Sequence, residues 1–409
     1  MLETLFKRRP KRVEAQQCWM RDFIDSYLEM LAQRRYATPA LRNNAYLLLR
    51  FAAFAEKHGC CKIDGIIEWI GAFAEQHEHP KYRAAIRQKI RRFIRHLRGT
   101  GVLPKPVPPP VPFSDIMREY GEFMRNRRAI SRSTIAAARG LCQRFLRHIH
   151  DAGIKDLKAM ELSMVQNFII SEGNCHTRRT MITNCSMLRR FLSYLYSRGE
   201  IQQDLASLLI SPRAYKHERC PRFLTDAQIA TVLSSIDRHS RMGMRDYAMI
   251  LLLATYGLRS NEVVQLRLED IDWRAEKLHI RERKSGNTSV YPLAPSVGQA
   301  ILCYLKNGRP QSTHRQVFLA HAAPYDPATK SAVGHATHKY LLLSGIKKRG
   351  ISTHSFRYSC AQQLFENDFS IKEIADYLGH GQLTSTQRYM KIDIKHLREV
   401  ALNSGEAML

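Results

Sequence analysis

The stretch Thr353-His-Ser-Phe-Arg-Tyr-Ser359 organises the carboxy-terminal third of this chain. His354 and Arg357 lie three residues apart, so on a helix both side chains share one face. Two short motifs follow, Leu378-Gly-His380 and Gln387-Arg-Tyr389. The sequence therefore places two imidazoles, a guanidinium and a phenol near the ends of predicted elements, where side chains from separate elements can converge.

Helix-boundary signals support this placement. Ser370 and Glu373 have the spacing of a capping box at the start of the amphipathic run 371–378. The same spacing recurs at residues 384–387 and predicts a further helix whose first turns hold Tyr389.

The region upstream adds a buried helix and a hairpin. The apolar run 244–255 predicts a buried helix that ends at the glycine of Gly257-Leu-Arg259. Two alternating runs, 277–283 and 289–293, flank the turn residues Ser285-Gly-Asn287. We therefore predict a mainly α chain whose carboxy-terminal domain is mixed α+β, with a small antiparallel sheet.

Together these motifs resemble those of the tyrosine site-specific recombinases, the phage integrase family. Each motif is weak alone, but all five occur in the family's order and approximate spacing. The resemblance covers residues 213–395 firmly and 113–212 more loosely, and Asn261 departs from the small residue that the family often has there. The motifs are Gly257-Leu-Arg259-x-x-Glu262 followed by Leu266-Arg-Leu-Glu-Asp-Ile271, a basic hairpin with Lys284, His354-x-x-Arg357, Leu-Gly-His380 and Tyr389.

The resemblance implies a nucleophile and two phosphate-binding groups. Cleavage of a DNA phosphodiester needs a nucleophile, positive charge on the non-bridging oxygens and an acid for the leaving oxygen. Tyr389 would attack through its phenolic oxygen, while Arg259 and Arg357 would bind the phosphate oxygens. Three other tyrosines have structural explanations: Tyr256 and Tyr377 fit a core, and the helix turns Tyr358 away from the His354–Arg357 face.

The resemblance also implies acid and base roles. Lys284 would protonate the 5′-oxygen leaving group, and His354 would act as acid or base for the nucleophile. His380 would donate a hydrogen bond to the phosphate. Two alternatives stay open. Arg281 and Arg283 are close to Lys284, so a different register of the turn would put one of them in its place. His380 could instead cap the helix before it.

Charge and composition indicate a nucleic-acid partner. The 409 residues carry a formal net charge of +27, spread along every segment rather than confined to one cluster. No run approaches the ~20 apolar residues of a membrane span. The nine cysteines include no Cys-x-x-Cys pair, which predicts a reducing cytoplasm and no zinc site. Without a phosphate-binding Gly-x-x-x-x-Gly-Lys motif or an acidic cluster, we expect no cofactor, no metal and no ATP requirement.

The amino-terminal half has the pattern of a duplicated helical domain. Tyr27-x-Glu-x-x-x-Gln-Arg-Arg35 matches Tyr120-x-Glu-x-x-x-Asn-Arg-Arg128, and Arg91-Arg-Phe-Ile matches Arg189-Arg-Phe-Leu, at a period of about 95 residues. The second copy resembles the family's core-binding domain. The predicted division is a basic arm (1–12), a helical module (13–103), a proline-rich linker (104–112), the core-binding domain (113–212), a basic connector (213–223) and the catalytic domain with a tail helix (224–409).

The leading hypothesis is a site-specific recombinase, integrase-like or transposase-like, that acts on double-stranded DNA near the nucleoid. Family resemblance implies a homo-tetramer joined through the tail, where Ile394, Leu397 and Ala401 form a small apolar stripe, and it allows related recombinases or DNA-bending proteins as partners. Packing of the tail onto its own domain is the alternative. A monomeric type IB topoisomerase and a catalytically silent DNA-binding accessory protein remain alternative functions.

Overall fold

The computed structural model describes residues 1–6, 9–106, 112–126, 130–212, 222–281, 288–346 and 350–379. This part of the chain is mostly helical and carries a three-stranded antiparallel sheet, which confirms the predicted fold class. Residues 105–218 form one compact unit, while residues 1–104 and those from 219 onward form the other. Across these ranges, no helix is long and apolar enough to cross a membrane. Most of the predicted linker and connector lies outside them.

The first helical module, residues 1–103, is built around its own apolar core. Buried residues recur every three or four positions along its last helix, as the sequence predicts. Its helices are α1 (Leu2–Leu5), α2 (Arg9–Gln17), α3 (Arg21–Gln33), α4 (Thr38–Lys57), α5 (Trp69–Glu75) and α6 (Pro80–Gly99), with a 3₁₀ turn at Ile63–Ile67.

The amino-terminal residues are not the free basic arm that we expected over 1–12. Leu2, Leu5 and Phe6 are buried within the core of the first module. The prediction is wrong for the described part of this segment because a group of apolar residues, at positions 1, 2, 5 and 6, precedes the basic ones. Burying these apolar side chains stabilises a packed helical turn over an extended arm.

The second helical module, residues 113–212, has a separate core. Its helices are α7 (Ser114–Asn126), α8 (Arg132–Asp151), α9 (Leu162–Gly173), α10 (Arg178–Ser197) and α11 (Leu205–Leu208), with a 3₁₀ turn at Leu157–Ala159.

The two modules match in helix length and in aromatic packing. Helices α3 and α7 both have 13 residues, whereas α4, α8, α6 and α10 each have 20. Edge-to-face ring pairs occupy matching positions in the two cores, and these matches support the predicted duplication. The ring pairs and their centroid separations are Phe51–Phe73 (5.2 Å) and Phe145–Phe168 (5.2 Å), then Tyr27–Phe93 (5.4 Å) and Tyr120–Phe191 (4.8 Å).

The carboxy-terminal region packs its elements around the buried helix α13. Strand β2 pairs with both of its neighbours, and Leu278 lies opposite Tyr291 in the β2–β3 register. The strands are shorter than the predicted runs, and the two-residue β1 was not predicted. The elements are α12 (Asp226–Ser234), α13 (Arg241–Tyr256), α14 (Ser260–Gln265), β1 (Ile271–Asp272), β2 (Lys277–Ile280), β3 (Ser289–Pro292), α15 (Pro295–Cys303), α16 (Lys330–Leu343), α17 (Thr353–Glu366) and α18 (Ile371–Leu378).

Helix α18 begins and ends as the sequence predicts. The Ser370 side chain accepts a hydrogen bond from the Glu373 amide, and the Glu373 carboxylate accepts one from the Ser370 amide. Gly379 ends the helix in the left-handed conformation, with φ of 63°. These local signals fix the chain direction just before His380.

Candidate active site

The loop after α13 positions Arg259. Gly257 ends α13 with φ of 59°, in the left-handed region that favours glycine. A Cβ atom at this position would lie 2.9 Å from Cδ2 of Leu378, so packing also requires a glycine here. The turn leads directly into α14, and Arg259 is the residue that precedes this helix.

A buried carboxylate holds Arg259 in place. Oε1 of Glu262 accepts a hydrogen bond from Nη1 of Arg259 at 2.7 Å, and Oε2 accepts one from the Arg259 backbone N–H at 2.8 Å. The Glu262 side chain is 4% exposed, whereas that of Arg259 is 22% exposed. Charge-assisted hydrogen bonds of this kind orient a guanidinium while part of it remains accessible to a ligand.

Helix α17 supplies a second guanidinium. Arg357 is only 3% exposed. Its Nη1 donates to the carbonyl oxygen of Gly257 at 2.7 Å, and its Nη2 donates to the carbonyl oxygen of Leu378. Arg357 therefore links the end of α13 to the end of α18.

The two arginines meet at the end of α18. Nη2 of Arg259 donates to the carbonyl oxygen of Gly379 at 3.1 Å, and Arg357 donates to the carbonyl of the preceding residue, Leu378. Two guanidinium groups from distant parts of the chain thus bind consecutive carbonyl oxygens. Neighbouring positive charges favour an anion close by, and the planar donor forks match phosphate oxygens.

His354 lies one helical turn before Arg357 on α17 and is exposed. The protein around the ring displaces water, and this desolvation lowers the pKa of His354; the positive charges of Arg357 and Arg259 lower it further. Since an imidazole ordinarily titrates near pH ~6.5, the ring is neutral at pH 7 and can accept a proton. The structure therefore brings Arg259, Arg357 and His354 together.

Buried groups on α17 fix this helix beneath the site. The Ser359 hydroxyl accepts a hydrogen bond from the Leu224 amide at 2.8 Å and donates to the Ser355 carbonyl at 3.0 Å. Burial raises the pKa of the Cys360 thiol to about 11, so the thiol is protonated and unreactive at neutral pH. Cys360 thus packs against Gly257 as an apolar group.

Three predicted site residues, Lys284, His380 and Tyr389, lie outside the described residues. The nearby Arg281 is described, and its Nε lies 2.5 Å from Oδ1 of Asp270. An arginine already paired with a buried carboxylate is a poor substitute for Lys284 as the proton donor.

The alternative tyrosines have packing roles. The hydroxyl of Tyr256 donates to the Pro292 carbonyl at 2.8 Å and accepts a hydrogen bond from the Ala294 amide at 2.8 Å. The Tyr377 ring packs edge-on against Tyr291, with ring centroids 5.0 Å apart. Tyr358 packs against a small apolar cluster. None of these three side chains is placed as an exposed nucleophile, in agreement with the prediction.

Sequence reasoning assigned no role to Glu262, although its spacing three residues after Arg259 signals a helical ion pair. The carbonyl groups of Leu378 and Gly379 had no signal at all, because every residue has one. Among the described side chains, no group of three His, Cys, Asp or Glu residues is arranged to hold a metal ion.

Comparison with known proteins identifies the family. The model of the phage integrase family matches residues 222–396. The Sinorhizobium fredii protein y4rA, which carries an integrase/recombinase name, is 32% identical over 392 residues, covering 94% of this chain and 95% of that protein. The tyrosine recombinase XerD of Vibrio vulnificus is 25% identical over 291 residues, covering 69% of this chain and 93% of that protein.

Solved structures share the fold. The XerH site-specific recombinase bound to a palindromic difH substrate aligns with a TM-score of 0.53 at 17% identity, covering 70% of this chain and 84% of that one. A lambda integrase dimer bound to a core site aligns with a TM-score of 0.52 at 16% identity, covering 68% of this chain and 94% of that one. With the near full-length similarity to y4rA, these findings show that the chain belongs to the phage integrase family of tyrosine recombinases.

Proposed function

We propose that this enzyme recombines double-stranded DNA at specific sites by cutting and rejoining strands through a 3′-phosphotyrosine. Arg259 and Arg357 donate hydrogen bonds to consecutive backbone carbonyls at the end of α18, and this contact is the main support for the proposal. Both guanidinium groups are also close enough to His354 for their positive charge to lower its pKa. This cluster can bind one phosphate, and it lies directly before the segment that contains His380 and Tyr389.

The proposed cleavage step follows from phosphoryl-transfer chemistry. The phenolic oxygen of Tyr389 attacks the phosphorus atom, and the bond from phosphorus to the 5′-oxygen breaks. Arg259 and Arg357 stabilise the charge that gathers on the non-bridging oxygens. Lys284 gives its proton to the departing 5′-oxygen. Attack by another 5′-hydroxyl reverses these steps and releases the tyrosine, so the phosphotyrosine conserves the bond without ATP.

Histidines complete the proposed site. The lowered pKa of His354 keeps its imidazole neutral at pH 7, which suits a group that accepts the proton of Tyr389. His380 donates a hydrogen bond to the phosphate. The buried Glu262 is a positioning residue, because it contacts Arg259 rather than the DNA.

Strand exchange requires several protomers on DNA. We propose a homo-tetramer in which the apolar stripe of residues 394–401 packs against the neighbouring protomer. Related recombinases or DNA-bending proteins would join the same complex, and a cytoplasmic, nucleoid-associated location follows from the DNA substrate. A truncation after Lys395 tests this assembly: it should abolish the multi-protomer DNA complex and retain binding of one half-site.

The nucleophile is tested with a nicked suicide duplex built from inverted repeats beside the gene. Wild type should be trapped as a covalent protein–DNA adduct, and Tyr389→Phe should give none, because the variant lacks only the attacking oxygen. Tyr377→Phe and Tyr358→Phe are matched controls that should retain the adduct. An adduct in Tyr389→Phe would refute the assignment. Relaxation of a supercoiled plasmid that lacks any repeat would favour the topoisomerase alternative.

A further inference from the structure

We propose that the outer face of α6, in the first helical module, is a second binding surface for double-stranded DNA, separate from the catalytic cluster. The proposal rests on the proposed function only for the choice of duplex DNA as the ligand. It concerns a module outside residues 222–396, the range that the family model matches.

Helix α6 is strongly basic. Its 20 residues include eight lysines and arginines and no aspartate or glutamate. Its apolar side chains point into the module's core, so the basic side chains occupy the remaining faces. The basic residues are Lys81, Arg83, Arg87, Lys89, Arg91, Arg92, Arg95 and Arg98.

Four of these cations are exposed and have no side-chain partner among the described residues. They are Lys81, Lys89, Arg91 and Arg95, whose charged groups make no hydrogen bond or ion pair within the described part of the chain. Other cations of the helix are paired: Arg87, for example, lies 3.0 Å from the Glu75 carboxylate. The unpartnered charges therefore form the part of the surface that is free to bind an anion.

The arrangement is unfavourable for the helix itself. Arg91 and Arg95 are four residues apart, and like charges at this spacing destabilise a helix. No acidic residue on α6 offsets this repulsion. A polyanion bound along the face would remove it.

Comparison with α10 shows that the fold does not require the charges of Lys89 and Arg95. Because α6 and α10 have equal length, Lys89 corresponds to Met187 and Arg95 to Ser193. Arg91 corresponds to Arg189, but Arg189 donates to backbone carbonyls within its own module. The first module has thus kept the helical core and added cations that the second module does not carry.

Duplex DNA fits the dimensions of this face. Lys81 and Arg95 are 14 positions apart, which spans about 21 Å along the helix axis. Duplex DNA carries one phosphate charge per ~1.7 Å of its axis, so a face of this length meets many phosphates. Proteins that bind single strands stack successive bases on several aromatic side chains. Helix α6 exposes one such side chain, Tyr82, so its surface suits duplex DNA better than a single strand.

Two double variants of the full-length chain test the proposal. Lys89→Gln with Arg95→Gln removes two unpartnered cations. The control, Lys11→Gln with Arg87→Gln, removes two cations of the same module that are paired with Glu14 and Glu75. Both variants lower the net charge equally. A difference in their DNA affinity therefore reports contact between the DNA and these side chains, rather than the overall attraction of a basic protein for DNA.

The measurement is fluorescence anisotropy with a long duplex of random sequence, titrated over a range of salt concentrations. The test variant should reduce the slope of log affinity against log salt by about 1–2 and weaken binding about tenfold at physiological salt. The control should stay close to wild type, and both variants should keep the wild-type melting temperature. Equal slopes for the two variants overturn the proposal, as does a loss of binding to single-stranded RNA with duplex binding unchanged.

Different results test the catalytic mechanism and DNA binding by α6. At protein concentrations that saturate a short duplex, the test variant and wild type should form the same amount of adduct, since α6 contributes no group to the phosphate chemistry. If the wild type forms no adduct, the recombinase mechanism fails, but the salt slopes still decide whether α6 binds duplex DNA.

Discussion

The first and second helical modules share three pairs of helices of equal length and equivalent ring pairs, yet α6 and α10 present different surfaces. Buried apolar residues recur at matching positions on both helices, whereas only α6 adds cations such as Lys89 and Arg95. Core positions must fill a fixed space, so they change little without a cost in stability. Exposed positions lack this constraint and can change to suit a partner.

Arg91 and Arg189 show the same contrast at one position. Nη2 of Arg189 donates to the Leu209 carbonyl at 2.7 Å and its Nε donates to the Ala206 carbonyl at 3.3 Å, which fastens α11 to α10. In the described residues that follow α6, 100–106, no helix corresponds to α11, and Arg91 is exposed. Equivalent arginines therefore stabilise the fold in one module and face solvent in the other.

The largest expected effect tests whether the cores are equivalent. Phe51→Ala and Phe145→Ala should each lower the local free energy of unfolding of their own module by about 3–5 kcal/mol, because each empties one half of a buried ring pair. Hydrogen exchange read module by module measures both values. If one substitution lowers the free energy of unfolding by less than about 1 kcal/mol, the two ring pairs do not contribute equally to stability. That result would contradict the duplication of the core.

The next largest expected effect is a difference in stability between substitutions of Arg189 and Arg91. Arg189→Gln should destabilise the second module by about 1–3 kcal/mol, since it loses charge-assisted hydrogen bonds to backbone carbonyls. Arg91→Gln should leave the stability of the first module within about 0.5 kcal/mol of wild type, as surface substitutions usually do. Urea unfolding followed by exchange in each module compares them. Equal losses would show that Arg91 also has a structural role.

The smallest expected effect concerns the turns after α4 and α8. Gly59 has φ of 80° and Gly153 has φ of 89°, and a Cβ atom at either would meet no neighbouring atom within 4 Å. Alanine at either position should therefore cost only the backbone strain, about 1 kcal/mol. Thermal unfolding of Gly59→Ala and Gly153→Ala should show matching decreases in melting temperature, and a mismatch would indicate that the two turns differ.

Much of the fold could be predicted because its signals are local. The capping box at Ser370, the glycine after α13 and the helical repeat of apolar residues each act within a few positions. The amino-terminal segment was mispredicted because its basic residues outnumber the apolar ones. Whether Leu2 and Phe6 are buried depends on helices far along the chain that cover them.

By itself, the sequence determined the family, the helical class and the identity of the residues proposed for catalysis, because motif order and residue chemistry need no coordinates. Tertiary structure alone decided that Arg259 and Arg357 meet on the carbonyls of Leu378 and Gly379, and that Glu262 holds one of them. Backbone carbonyls carry no sequence signal, and their positions depend on how α13, α17 and α18 pack. Long-range packing, rather than local preference, therefore sets the geometry of the site.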